Sequence, residues 1–197
     1  MSKKLLDILQ AKFGEAILET HSQFGDDTAV VRPDAWKAAA KLLRDDPRLK
    51  MDMFVDLTAV DYFGLHELRF EVVLHLRSID KNHRIRLKTR VGEEGEEKPE
   101  VDSLTGLWKG ANWFEREAFD MFGVIFRGHP DLRRILMYPE FEGHPLRKDY
   151  PAQKIQPLVA FREGTLDKIA PFGPHEGMSF GRQTHAGLAT PTDDPEA

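Results

Sequence analysis

The spacing of apolar positions changes several times along the chain, and each change marks an element. Leu5, Leu6, Leu9 and Phe13 recur at helical spacing and stop at Gly14, which predicts a short amphipathic helix. AILET and TAVVR then read as two short strands around the turn Phe24-Gly25-Asp26-Asp27. Pro33 stands where a first helical residue is favoured. DAWKAAAKLLRDD follows, with Trp36, Ala39, Ala40 and Leu43 on one face, until Pro47 stops it. FVDLTAVDYF is a mostly apolar strand carrying two aspartates, Asp56 and Asp61, that are unusual there. Two alternating strands come next. Leu68, Phe70, Val72, Leu74 and Leu76 face one way in the first; His83, Ile85, Leu87, Thr89 and Val91 do so in the second. The other face of the second strand carries Arg84, Arg86, Lys88 and Arg90. The connector SIDKNH suits a hairpin, and GEEGEEKPE reads as a solvated acidic loop. A period of two with one polar face predicts an antiparallel sheet solvated on one side.

The fold class that follows is α+β: an antiparallel sheet with helices packed on one face, then an aromatic helix and an extended, irregular C-terminal arm. LTGLWKGANWFEREAFDMFGVIF is aromatic-rich and helical in its middle. After Phe126 the chain turns to Gly, His, Pro and Arg with little periodicity. The expected organisation is a domain over 1–126, an arm over 127–170 and a tail over 171–197. The tail has few apolar anchors, so it is expected to be disordered or held by another chain. A short echo runs through the arm: GHPDLRR at 128–134 and GHPLRK at 143–148 each place a turn and a leucine before two cations.

On a helical wheel, Phe114, Ala118, Met121 and Phe122 form one apolar arc, widened by Phe119. Glu115 falls inside that arc. Arg116, Glu117 and Asp120 make the polar side, with Trp113 among them. A carboxylate on the apolar face and an indole on the wet face suit a helix packed on both sides. Glu115 reads as a buried carboxylate bonded to an arginine such as Arg133 or Arg134, or alternatively as an acid or base of raised pKa. Arg116 and Asp120, four residues apart, read as a surface or interface ion pair. His129 and His144 sit between Gly and Pro, which favours a turn role. With Glu115, Glu117, Asp120 or Asp131 they could instead form an oxygen and imidazole metal site. Arg133, Arg134, Arg147 and Lys148 are expected to satisfy carboxylates of this chain or a neighbour.

Composition narrows the chemistry. The chain has 197 residues, 41% of them hydrophobic, which suffices for a core without covalent staples. It contains no cysteine, which excludes disulfides, a cysteine nucleophile, thiolate zinc sites and cysteine-ligated iron–sulfur clusters. A net charge of −5 argues against a broad nucleic-acid or anionic-lipid footprint. No run of about 18 apolar residues is present to span a membrane. Asp7 and Lys12 interrupt what would be the apolar stretch of a signal peptide. No phosphate loop, dinucleotide fingerprint or nucleophile elbow occurs.

Two motifs carry a resemblance. The stretch Glu115 to Phe126, EREAFDMFGVIF, followed by GHPDLRRIL at 128–136, closely resembles the signature of the NuoC family, the 30 kDa subunit of respiratory complex I. GHPLRKDYP at 143–151, ending in Asp149, Tyr150 and Pro151, resembles that family's second motif. The resemblance implies a hydrophilic peripheral-arm subunit of the proton-translocating NADH–quinone oxidoreductase, on the cytoplasmic side of a bacterial inner membrane. It implies no catalytic activity in the chain alone and no flavin, cluster, metal or quinone bound by it. NADH, FMN, iron–sulfur clusters and quinone would belong to the assembled complex. The implied partners are a NuoD-type subunit and nearby NuoB- and NuoI-type subunits. The motif residues Trp113, Glu115, Arg116, Glu117, Phe119, Asp120, His129, Asp131, Arg133, Arg134, His144, Arg147, Lys148, Asp149 and Tyr150 become structural or interface candidates. The alternatives are the equivalent subunit of a membrane-bound hydrogenase or F420-dependent dehydrogenase, and a free-standing metal-dependent enzyme using Glu115, Asp120 and His129.

Overall fold

A computed structural model describes residues 3–93, 98–157 and 159. Among the described residues are three α-helices: α1 (Lys3–Phe13), α2 (Trp36–Asp45) and α3 (Ala111–Phe122). Seven strands accompany them: β1 (Ile17–His21), β2 (Thr28–Val31), β3 (Met53–Asp61), β4 (Phe70–Ser78), β5 (His83–Val91), β6 (Glu100–Asp102) and β7 (Ile125–Arg127). Helix α1 stops where the sequence predicts, at Gly14, whose φ of 48° is left-handed and unfavourable for a side chain. No helix among the described residues is long and apolar enough to cross a membrane.

Strands β1 and β2 form an antiparallel hairpin. Helix α2 then carries the chain across to the opposite edge, where β3 begins. The meander β3-β4-β5 returns toward the hairpin, giving the order β1-β2-β5-β4-β3. Strand β5 therefore lands beside β2 and parallel to it. The other three pairings are antiparallel, as the alternation predicts. The α+β class stands, with a mixed sheet in place of a wholly antiparallel one. Alternation within a strand reports which side chains share a face. It does not report the direction of a neighbour brought in by a crossover.

One core joins the helices to the sheet. Leu5 and Leu9 of α1, Trp36, Ala39 and Leu43 of α2, and Ala118 and Met121 of α3 meet Phe70, Leu74 and Leu87. The opposite face carries the expected cationic stripe, but its upper half is closed by ion pairs. Glu71, only 2% exposed, accepts from Lys88 at 2.6 Å and Arg90 at 3.2 Å. Strands β6 and β7, too short to be predicted, pair in parallel on either side of α3 in the chain. The compact unit continues to Pro157, so residues 127–157 belong with the sheet domain in one body. The expected tail over 171–197 lies outside the described residues.

Candidate functional site

Helix α3 is covered on two sides. Ala118, Met121 and Phe122 face the sheet, while the irregular arm from His129 to Asp149 runs along the polar side, from the N-terminal end of the helix to its C-terminal end. Two buried carboxylates, Asp61 and Asp120, and the buried Arg116 organise this contact, and a third buried carboxylate, Glu115, faces away from it.

Asp120 is fully buried. Its Oδ1 accepts from Arg134 Nη1 at 2.7 Å. Its Oδ2 accepts from the backbone N–H groups of Ile135, Leu136 and Met137 at 3.0, 2.8 and 2.8 Å. Burial pushes this carboxyl up, but the four donors outweigh it and hold the group below the usual aspartate value. Arg116 is 8% exposed. It donates from Nε and Nη2 to the carbonyls of Arg133 and Arg134 at 3.0 and 2.9 Å. The expected Arg116–Asp120 ion pair does not form, because each is consumed by the arm. An i, i+4 spacing makes a pair available, but stronger donors and acceptors arriving from elsewhere take precedence.

Glu115 is buried, as the wheel predicts, but no arginine bonds it. Leu104 N–H donates to Oε1 at 2.6 Å and Ser103 Oγ to Oε2 at 2.7 Å. The carboxylate thus ties α3 to the turn that follows β6. With two neutral donors against full burial, desolvation dominates and raises its pKa to about 7. Arg134, expected on Glu115, sits on Asp120. Arg133 reaches Asp131 at 2.9 Å on the surface.

The second motif is fastened at the far end. His144 donates from Nδ1 to the Asp120 carbonyl at 2.9 Å and meets the edge of Phe119. Burial lowers its pKa against the bond to the Asp120 carbonyl, and the charges of Arg147 and Arg134 lower it further. Arg147 Nε donates to the Phe122 carbonyl at 2.6 Å. Both side chains lie over Gly123. A Cβ there would come within 2.6 Å of His144 Nε2, and its φ of 78° is left-handed. Asp61, at the end of β3, accepts from Arg69 Nε and Nη2, from Phe63 N–H, and from Lys148 N–H at 2.7 Å. Arg69 continues to Asp149 at 2.6 and 3.0 Å, so one guanidinium bridges sheet and arm. Burial opposes ionisation of Asp61, yet these donors lower its pKa on balance.

The remaining candidates take lesser places. His129 accepts from Asp131 N–H at Nδ1, and its Nε2 donates to the Asn112 carbonyl at 3.2 Å, so it shapes a turn. Tyr150 stacks on Phe141. Glu117 and the Lys148 side chain are exposed. Trp113 is 59% exposed, with Arg116 under its ring at 5.3 Å. Glu115, Asp120 and His129 do not converge. Among the described residues no group of three or more His, Asp or Glu lies close enough to hold a metal. Sequence reasoning missed Asp61 and Arg69 as arm fasteners. The aspartate's oddity in an apolar strand was the available signal, and its partners lie 8 and 87 residues away.

Residues 29–156 match the family described as "respiratory-chain NADH dehydrogenase, 30 Kd subunit". The C subunit of an NADH-quinone oxidoreductase from Roseiflexus sp. (strain RS-1) is 47% identical over 168 residues, covering 85% of this chain and 94% of that protein. Its counterpart in Thiobacillus denitrificans, also a C subunit of NADH-quinone oxidoreductase, is 45% identical over 148 residues, 73% of each. Among solved structures, a trypsin-resistant fragment of Nqo5 superposes with a TM-score of 0.56 at 27% identity, covering 66% of this chain and 98% of the fragment. A chain of the archaeal membrane-bound sulfane sulfur reductase shares the fold at TM-score 0.63 and 21% identity, covering 77% of this chain and 86% of its own.

Proposed function

The chain belongs to the 30 kDa subunit family of the respiratory-chain NADH dehydrogenase, and from that premise we propose that it serves as the C subunit of a proton-translocating NADH–quinone oxidoreductase. In this reading it holds no redox centre. It is a shaped, non-catalytic part of the peripheral arm on the cytoplasmic side of the membrane, beside NuoD-, NuoB- and NuoI-type subunits. NADH, FMN, the clusters and quinone are handled by those and other neighbours.

One observation carries the reading: the buried polar groups of both family motifs are spent on bonds within the chain, chiefly those that fasten the arm to α3 and β3. Asp120, Arg116, Arg134, His144 and Arg147 all bond within the chain. Asp149 does the same through Arg69. A signature devoted to internal fastening specifies a shape, which is what an assembly subunit offers. Trp113, held over Arg116 and largely exposed, is the side chain of α3 best placed to anchor a neighbour, since aromatic residues dominate interface energetics.

The test is purification of the tagged chain from its native membranes in mild detergent. NADH-driven quinone reduction should co-purify with it, whereas F420- or hydrogen-driven activity would indicate a related complex. The chain purified alone should show aromatic absorbance only. A stoichiometric flavin or cluster on the isolated chain, or its absence from any respiratory complex, would overturn the reading.

A further inference from the structure

Two departures from ordinary sheet chemistry meet at one end of the open sheet face, and a third lies close to them in the chain. Arg77 of β4 lies directly across from Arg84 of β5, and Met53 of β3 completes the row. Like charges directly opposite on neighbouring strands repel. Arg84 has Asp26 at 2.6 Å as counter-ion, whereas among the described residues Arg77 has only the neutral Asn82 carbonyl at 2.8 Å. In the next row, Asp56, His75, Arg86 and Thr28 stand side by side. Arg86 is 3.6 Å from the same Asp26. Asp27 is buried and accepts from Ser22. Asp26 pairs with two of the three guanidinium groups that line a concavity of about 360 Å³ here, and among the described residues Arg77 has no carboxylate partner.

The second departure is at the margin. Strand β3 is the sheet's edge, and among the described residues nothing bonds its outward backbone groups. A bulge between Phe54 and Asp56 leaves Met53 and Val55 more than 40% exposed beside the arginines. Open edges with apolar side chains are normally blunted or covered. The third departure is Phe24, two residues before Asp26, which is fully exposed and held at φ 56°. An aromatic residue in left-handed backbone with no contact of its own is strained, and strain of this kind marks functional positions.

We propose that this end of the sheet receives an extended, acidic segment of a neighbouring subunit. Its carboxylates would lie over the Arg77–Arg84 pair, its apolar side chains would meet Met53 and Val55 at one margin and Phe24 at the other, and its backbone would pair with the free edge of β3. Charge complementarity selects the occupant: an anion relieves the Arg77–Arg84 repulsion, and an extended peptide satisfies the edge. The inference rests on the assignment of the chain to a respiratory complex.

Arg77→Glu separates an interface role from a structural one. In the free chain it replaces a repelling cross-strand pair with an attracting one, so the isolated variant should melt at or above the wild-type temperature. Its incorporation into the complex should nevertheless fall on the order of tenfold, as expected for loss of charge-assisted bonds. Arg77→Lys should incorporate normally. A photo-crosslinking residue at position 24, used in native membranes, should join to a segment of another subunit rich in Asp and Glu. Wild-type incorporation of Arg77→Glu, or a crosslink to a second copy of the chain, to nucleic acid or to a segment without acids, overturns the proposal. If the wild-type chain itself is absent from the complex, the functional assignment fails; if wild type and Arg77→Glu incorporate equally, only this contact does.

Discussion

Glu115 shows how much a single buried carboxylate depends on what donates to it. Its two neutral donors leave desolvation dominant, so the folded chain favours the protonated acid, with a pKa of about 7 against the ordinary 4.5. A folded-state pKa above the unfolded one means that the native chain binds the extra proton. The stabilisation is complete below pH 4.5 and is lost as pH rises through 7. The loss is on the order of 3 kcal/mol once the group is charged. Glu115→Gln keeps the shape, an acceptor for Leu104 N–H and a polar partner for Ser103. It should leave stability near pH 5 within about 1 kcal/mol and flatten the decline between pH 5 and 8. Thermal melts of both proteins across that range decide the matter. A strongly destabilised variant at pH 5 would mean that the carboxylate is ionised and paired after all.

At the scale of elements, the arm is joined to α3 by an adhesive that is polar. Asp120 alone accepts one guanidinium and three backbone N–H groups of the arm. Breaking a buried pair of this kind costs about 3–5 kcal/mol. Asp120→Ala should therefore raise the population of undocked arm by at least two orders of magnitude. Trypsin cleavage after Arg133 and Arg134 should accelerate accordingly, while the sheet amides keep their protection against hydrogen exchange. Cleavage at the wild-type rate would show that the arm is held by something other than Asp120. The helical wheel located most of α3 correctly: Glu115 inward, Trp113 outward, and a helix covered twice. It could not say that the second cover is the chain's own arm. The arm docks through backbone amides and carbonyls, which every residue carries, and its side chains have no period to read. The same limit hid the partners of Glu115, one of which is a backbone N–H. The parallel β2–β5 pairing was hidden for a different reason, since it depends on where a crossover lands.

For the molecule as a whole, these two adhesives imply two separable layers of stability. The sheet and its helices are held by apolar burial, around Trp36, Phe70, Leu74 and Leu87. The arm is held by ionised Asp61 and Asp120. Their pKa values are depressed in the fold, so their contribution is present above the ordinary aspartate value of 3.8 and is lost as pH falls below it. Glu115 acts with the opposite sign and lies wholly within the first layer, bonded to Ser103 and Leu104. A chain ending at Leu132 loses Arg134, the amides on Asp120 and Lys148 N–H. Asp120 and Arg116 then regain water rather than staying buried without partners, so the core is not penalised for their charge. The shortened chain should melt cooperatively. Its stability should fall less steeply below pH 4 than that of the full chain, because Asp61 keeps only Arg69 and Phe63 as partners and Asp120 is solvated. The decline through pH 7 should be unchanged, because Glu115 keeps both donors. Melts of the two chains from pH 3 to 8 test this directly. An acid limb as steep in the shortened chain as in the full one would place the acid sensitivity in the core. A vanished decline near pH 7 would show that Glu115 is buried by the arm instead.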